Sequence, residues 1–166
     1  SFFKKIPTLD FNKIAFEVIK KYVKEIRAKE LKKIISETFN FPIPLKLIEK
    51  NLYILELFHG PTMAFKDFGA RFLARALGYF LKNQKKQLNI IVATSGDTGS
   101  AVASGFFKTP GIKVFILYPS GKVSSLQEKQ LTTYGQNVTA LEVKGTFDDC
   151  QKLAKQVLRD KDLSRL

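Results

Sequence analysis

Residues 88–99 read LNIIVATSGDTG, a continuous apolar run followed by a polar turn with two glycines. A continuous run rich in Ile and Val is typical of a strand that is buried on both faces, as in a parallel sheet. Two further apolar runs follow at residues 112–117 and 138–143, at a spacing of about 25 residues. The three runs together predict a parallel sheet of three strands.

The segments that alternate with these strands predict helices over residues 101–108 and 123–134, and a third helix that starts at Thr146. Asp149 stands three positions after Thr146, which is a capping-box pattern. Strands and helices that alternate in this way form α/β folds with right-handed crossovers. We therefore predict an α/β chain whose second half is a βαβαβα unit of three layers.

The first half of the chain is predicted to be mainly helical, with a break near residues 27–28. Apolar residues recur every four positions over residues 14–26, between Lys and Glu, as in an amphipathic helix. Short apolar runs at residues 45–49 and 52–58 predict a hairpin. A further helix is predicted over residues 66–82, and we expect its phenylalanine-rich face in the core.

The composition limits the classes of function. Lys and Arg number 28 against 15 Asp and Glu, a net charge of +13, and only five of the 28 are Arg. Phosphate and nucleic-acid sites favour Arg, so this charge indicates a solvated, Lys-rich surface. One Cys and one His argue against disulfide scaffolds and metal modules. No run approaches the ~20 apolar residues of a membrane span, and we expect a cytoplasmic protein.

Lys66 follows the turn HGPTMAF at residues 59–65 and begins a mainly apolar helix. An amine at this position could attack an aldehyde to form a Schiff base, and could later transfer protons. Exposed lysines also commonly begin helices, so its position alone leaves both interpretations open.

The turn SGDTG at residues 95–99 lies between a buried strand and a helix. Its glycines allow close approach of the backbone to a ligand, and Ser95 and Thr98 offer hydroxyls beside a helix N-terminus. These features suit a carboxylate or a phosphate. The turn matches neither the dinucleotide motif nor the P-loop motif, and an ordinary capped turn is the alternative.

A third segment, YPSGKVSS at residues 118–125, follows the next strand and therefore opens at the same edge of the sheet. Its hydroxyls and Lys122 could hold an anion. The alternative is a solvated loop that ends in a helix N-cap.

Taken together, four segments resemble the signature motifs of the threonine synthase family, in the same order. They are residues 59–69 (HGPTMAFKDFG), 93–99 (ATSGDTG), 118–124 (YPSGKVS) and 126–130 (LQEKQ). Met63 stands where Leu is more usual, a change that conserves volume. The resemblance implies the fold of the tryptophan-synthase β-like enzymes and pyridoxal 5'-phosphate as the cofactor.

The resemblance also implies roles for individual residues. Lys66 would be the Schiff-base lysine and would move protons among the substrate carbons. The second turn would lie beside the cofactor ring, through Ser95, Gly96, Asp97, Thr98 and Gly99. Ser95 and Thr98 would also bind the substrate carboxylate, and the substrate phosphate would contact Lys122, Ser124 and Ser125.

The implied reaction converts O-phospho-L-homoserine and water to L-threonine and phosphate, in threonine biosynthesis, with the cofactor as electron sink. The enzymatic alternatives are other lyases of the same superfamily, such as a serine/threonine dehydratase or a cysteine synthase. The alternative from another class is a basic module that binds anions or nucleic acid. Steeply salt-dependent DNA binding would indicate that module. We expect a small-molecule substrate, and no nucleic acid, membrane or metal.

Members of the family are longer than this chain, so we expect an internal fragment. Residues 1–85 are assigned to a helical N-terminal domain that includes the lysine helix. Residues 86–166 are assigned to the first part of the α/β cofactor domain. In the family, the glycine-rich loop for the cofactor phosphate and the residue that faces the pyridine nitrogen normally follow this region.

Overall fold

The computed structural model describes residue 4, residues 6–84 and residues 87–163. The chain divides into two compact units, Ser1–Pro42 and Ile43–Leu166. The predicted domain boundary after residue 85 falls within the second unit. As a boundary of the complete protein it stays a proposal.

The first unit contains a short 3-10 turn, Ile6–Thr8, and two helices, α1 (Phe11–Ile19) and α2 (Ala28–Thr38). The Asp10 carboxylate caps α1 by accepting the backbone N–H of Lys13 at 2.8 Å. The buried face of α2 consists of Leu31, Ile34, Ile35 and Thr38. The two predicted helices are therefore confirmed, but the break between them covers residues 20–27 and is longer than the predicted break near residues 27–28.

Helix α1 ends at Ile19, although the apolar period continues to residue 26. The next amide groups bond three residues back, with Lys21 N–H on the Val18 carbonyl at 3.2 Å and Tyr22 N–H on the Ile19 carbonyl at 2.9 Å. Bonds of this kind tighten the backbone into a turn, so the helix does not continue.

The second unit opens with an antiparallel hairpin of β1 (Leu45–Glu49) and β2 (Leu52–Leu55). Helices and strands then alternate in the order α3 (Lys66–Leu81), β3 (Leu88–Ala93), α4 (Asp97–Phe106), β4 (Ile112–Pro119), α5 (Ser125–Thr132), β5 (Val138–Val143) and α6 (Phe147–Arg159). Strands β3, β4 and β5 form a parallel sheet in that order. The predicted hairpin and βαβαβα unit are confirmed.

The main core of the second unit lies against the central strand. Alternate residues of β4, among them Val114 and Ile116, pack with Phe106 of α4 and Leu131 of α5. Helix α3 joins this core through Ala74, and α6 packs against β3 and β4. Because the strands are parallel, the loops that follow β3 and β4 leave the sheet at the same edge.

The expectation that the phenylalanine-rich face of α3 lies in the core is wrong at its ends. Phe65, just before α3, and Phe80 are 60% and 42% exposed. The buried face of α3 carries small residues, including Ala70 and Ala74. They allow a close approach of α4, since a Cβ added at Gly105 would lie 3.0 Å from the backbone of Ala70.

Candidate active site

Lys66 is the first residue of α3, and the turn before it is held by a buried carboxylate. Asp67 has no exposed surface. Its oxygens accept the backbone N–H of Thr62 at 2.9 Å and the Thr62 hydroxyl at 2.8 Å. Gly60 completes the turn, because a Cβ there would overlap the Asp67 carboxylate. The backbone on either side of Lys66 is therefore fixed.

Thr94 organises the turn between β3 and α4. Its buried hydroxyl oxygen accepts the backbone N–H of Gly96 at 3.0 Å and of Gly99 at 2.8 Å. These bonds start α4 at Asp97, four residues before the predicted start at residue 101. Gly96 has a φ of 141°, which only glycine adopts without strain.

The two segments bring Lys66 and Asp97 together. Lys66 Nζ lies 3.4 Å from Asp97 Oδ2, and the side chains are 33% and 49% exposed. The same nitrogen lies 4.6 Å from the centre of the Phe65 ring. Lys66 is thus partly covered, and a third of its side chain remains accessible.

The start of α5 adds a third segment to this cluster. Ser124 is the N-cap of α5, and its hydroxyl accepts the backbone N–H of Gln127 at 3.2 Å. The Gln127 side chain donates from Nε2 to Asp97 Oδ1 at 2.7 Å. Gln127 is a site neighbour that the sequence did not identify. The Ser-x-x-Gln capping pattern locates it beside Ser124 but gives no signal for Asp97.

Ser95 and Thr98 are exposed beside the N-terminus of α4. Lys122 and Ser125 are exposed as well. Across the described ranges, no hydrogen bond or ion pair joins Lys122 or Ser125 to Lys66 or Asp97. The assignment of these residues to a substrate is not decided by this geometry and stays a prediction.

Lys122 contributes to the electrostatics at the start of α6. Hydrogen bonds from the backbone N–H and the hydroxyl of Thr146 hold the pKa of Asp149 below its ordinary value, and Lys152 and Lys122 add to the effect. The capping box predicted from Thr146 and Asp149 is confirmed.

Two other chemically active side chains lie outside this cluster. His59 Nε2 lies 2.7 Å from Glu56 Oε2, three residues back in the chain. Cys150 is buried, and burial raises the pKa of its thiol. In the part of the chain that the structure describes, no group of three His, Cys, Asp or Glu side chains could hold a metal ion. Within the same residues, no helix has both the length and the apolar character needed to cross a membrane.

The cluster fits an aldehyde cofactor with an anionic group. An exposed ion pair such as Lys66–Asp97 contributes only about 0–1 kcal/mol, so an aldehyde can displace it at little cost. The hydroxyls of Ser95 and Thr98 offer donors to an anion beside the N-terminus of α4, as do the first N–H groups of that helix other than that of Gly99. The nucleophile and the donors thus come from two loops at one edge of the fold.

Comparison with known proteins gives consistent matches. Residues 38–164 match the family of pyridoxal-phosphate dependent enzymes. The threonine synthase of Buchnera aphidicola subsp. Acyrthosiphon pisum is 47% identical over 161 residues, which are 96% of this chain and 37% of that protein. The chain therefore spans little more than a third of the length of this curated relative.

Two solved structures match the fold closely. The crystal structure of threonine synthase from Escherichia coli has a TM-score of 0.87 and 43% identity, and covers 96% of this chain and 37% of that one. The structure of PLP-bound threonine synthase from Brucella melitensis has a TM-score of 0.85 and 38% identity, over 92% of this chain and 34% of that one.

Proposed function

The chain belongs to the family of pyridoxal-phosphate-dependent enzymes, and we propose that it carries the cofactor lysine of a threonine synthase. The complete enzyme is a lyase that converts O-phospho-L-homoserine and water to L-threonine and phosphate. Lys66 is the proposed catalytic residue.

One observation carries the proposal. Lys66 Nζ lies 3.4 Å from Asp97 Oδ2. The two most specific threonine-synthase-like segments, residues 59–69 and 93–99, therefore meet at the lysine amine. The chain's identity to threonine synthases, 47% over 161 residues in one relative, supports this enzyme over other lyases of the superfamily.

Bound pyridoxal phosphate supplies an aldehyde that bonds to a lysine amine and an electron sink for carbanions. Lys66, at the start of α3, would hold a proton at Nζ and transfer it to and from the substrate carbons. Asp97 orients that nitrogen through its Oδ2 atom. The buried Thr62–Asp67 contact keeps the helix start rigid, which limits the positions that Nζ can reach.

The remaining residues bind and orient the ligands in this proposal. The turn at residues 95–99, which includes Asp97, lines the cofactor ring, and the hydroxyls of Ser95 and Thr98 also hold the substrate carboxylate. Lys122, Ser124 and Ser125 hold the substrate phosphate. Ser124 already accepts one backbone N–H of α5, so its hydroxyl is a weaker candidate than that of Ser125.

The proposal extends to the complete protein. Residues 1–85 contribute an N-terminal domain with the lysine helix, and residues 86–166 begin the α/β cofactor domain. The proposed location is the cytoplasm, and the proposed partner is the small-molecule substrate.

The test is a cofactor titration of the complete protein. Pyridoxal phosphate is added, the adduct is reduced with borohydride, and modified peptides are mapped by mass spectrometry. We expect one pyridoxyl adduct, on Lys66. The matched control is Lys66→Arg, which keeps a positive charge beside Asp97 but forms no adduct.

Turnover separates the enzymatic alternatives. We expect threonine and phosphate from O-phospho-L-homoserine, and no product from L-serine or O-acetyl-L-serine. Scattered labelling of surface lysines in the unaltered protein would contradict the assignment of Lys66. Turnover of L-serine or O-acetyl-L-serine in its place would indicate a dehydratase or a cysteine synthase.

A further inference from the structure

We infer that Gln127 is a positioning residue for the lysine site and that it acts through Asp97; the inference rests on the proposed function of Lys66. Gln127 Nε2 donates to Asp97 Oδ1 at 2.7 Å, while Asp97 Oδ2 lies 3.4 Å from Lys66 Nζ. The two oxygens of one carboxylate therefore have different partners, and the amide determines which oxygen faces the amine.

The orientation of the Gln127 amide is fixed by the hydrogen bonds that its Oε1 atom accepts. Oε1 accepts the backbone N–H of Ser124 at 3.2 Å and the Ser124 hydroxyl at 3.0 Å. A flipped amide would place its oxygen against the Asp97 carboxylate and its NH₂ against the Ser124 N–H donor. The amide must present its donor to Asp97.

The space for this contact comes from Gly96. A Cβ at position 96 would overlap the carbon and nitrogen of the Gln127 amide. The turn after β3 and the first turn of α5 thus fit each other around the amide, and the capping box holds that amide through its Oε1 atom.

Asp97 needs such a contact because it is half exposed. A carboxylate at the surface rotates freely unless a hydrogen bond holds it, and bonds to a charged acceptor are the stronger ones. With Oδ1 held by Gln127, Oδ2 stays directed at Lys66. Loss of the amide donor frees the carboxylate and leaves the lysine nitrogen without a fixed orientation.

The variant that isolates this effect is Gln127→Glu in the complete protein. The new side chain has the same length and still accepts from Ser124, so the α5 cap is kept, but an oxygen now faces Asp97. We expect the rate of borohydride-trapped pyridoxyl formation on Lys66 to fall about tenfold, with kcat lowered similarly and KM changed less than about threefold. A residue that only capped α5 would tolerate this change.

Exchanging the two groups supplies a rescue. In the double variant Asp97→Asn with Gln127→Glu, the amide at position 97 donates to the carboxylate at position 127 and turns its own oxygen toward Lys66. We expect the double variant to label Lys66 about threefold or more faster than either single variant. Lys129→Gln is the control, because it changes the net charge equally at an exposed position of the same helix.

The outcomes separate the two proposals. If the unaltered protein is not labelled at Lys66, the proposed function fails and this inference fails with it. If the unaltered protein is labelled and Gln127→Glu behaves like Lys129→Gln, only the role of Gln127 is overturned. If Gln127→Glu unfolds, the labelling rate of the double variant is compared with that of Asp97→Asn. A double variant that is no faster than Asp97→Asn overturns the inference.

Discussion

At the scale of single residues, the site depends on polar groups that are buried just behind Lys66. Asp67 has no exposed surface, and Thr62 supplies two hydrogen bonds to it from one residue. A buried acceptor that loses a donor is costly, whereas an exposed one finds water instead. The stability of this turn is therefore sensitive to changes that preserve side-chain shape.

Thr62→Val is expected to destabilise the protein, because the change keeps the shape of the side chain and removes the hydroxyl that donates to Asp67. The expected loss is about 1–3 kcal/mol in the free energy of unfolding, measured by urea denaturation. Thr132→Val is the matched control, since the Thr132 hydroxyl donates to the Glu128 carbonyl at an exposed position. Equal losses in the two variants would contradict this account of the turn.

Two glycines of the site region are expected to respond oppositely to alanine. A Cβ at Gly99 would overlap the Thr94 side chain and approach Leu131, so Gly99→Ala is expected to cost about 1–3 kcal/mol. A Cβ at Gly69, within α3, meets nothing within 4 Å, so Gly69→Ala is expected to stabilise by about 0.5–1 kcal/mol. Thermal and urea unfolding measure both changes, and a stabilising Gly99→Ala would refute the packing argument.

At the scale of elements, side-chain caps set where the helices around the site begin. Ser124 with Gln127 caps α5, and Thr146 with Asp149 caps α6. Each cap satisfies backbone N–H groups that have no partner within the helix. Both caps use residues three positions apart, so the sequence alone can reveal them.

The cap of α6 is expected to contribute to the pH dependence of stability. The pKa of Asp149 is lowered, mainly by hydrogen bonds from Thr146, so the folded state favours the ionised carboxylate. This contribution is complete above the unfolded pKa of about 3.9 and is lost as pH falls through the lower folded value.

Asp149→Asn is therefore expected to make the unfolding midpoint fall less steeply below about pH 4 than in the unaltered protein. Urea unfolding at pH 2.5 to 6, roughly the range over which carboxylates titrate, measures the slope. Asp148→Asn alters an exposed carboxyl in the same turn and is the control. If the unfolding midpoints of Asp149→Asn and the unaltered protein fell equally steeply at acid pH, the cap would not contribute to the pH dependence of stability.

The elements were predictable because their signals are local. The strand bounds at residues 88–93 and 138–143 follow from continuous apolar runs, and the α6 start follows from Thr146 and Asp149. The early start of α4 was missed, since it depends on the Thr94 side chain folding back over its own turn. The contact of Gln127 with Asp97 joins residues 30 positions apart. No periodicity in the chain encodes how α5 is placed beside that turn.

At the scale of the whole molecule, the parallel sheet and its helices enclose the one cysteine of the chain. Cys150 lies in α6 with no exposed surface, and α6 packs against β3 and β4. Reagents reach the thiol only if α6 detaches or the second unit unfolds. The reactivity of the thiol therefore reports whether α6 has detached from the face of the sheet that it covers.

We expect Cys150 to react slowly with Ellman's reagent under native conditions and fully in denaturant. Burial also raises the pKa of the thiol, which lowers its thiolate fraction at neutral pH. Phe106→Ala, which removes a fully buried ring from the core, is expected to cost about 3–5 kcal/mol and to speed the native reaction. A fast native reaction in the unaltered protein would show that α6 does not protect the thiol.

The overlap of position 96 with the Gln127 side chain makes the two positions interdependent as sequences diverge. A side chain at position 96 would be strained at a φ of 141° and would also overlap the Gln127 amide, whereas a smaller residue at position 127 would no longer reach Asp97. Either single step is unfavourable in the background of the other native residue. Divergent homologues are therefore expected to keep Gly96 even where position 127 varies, because a smaller residue at position 127 removes the overlap but not the backbone strain.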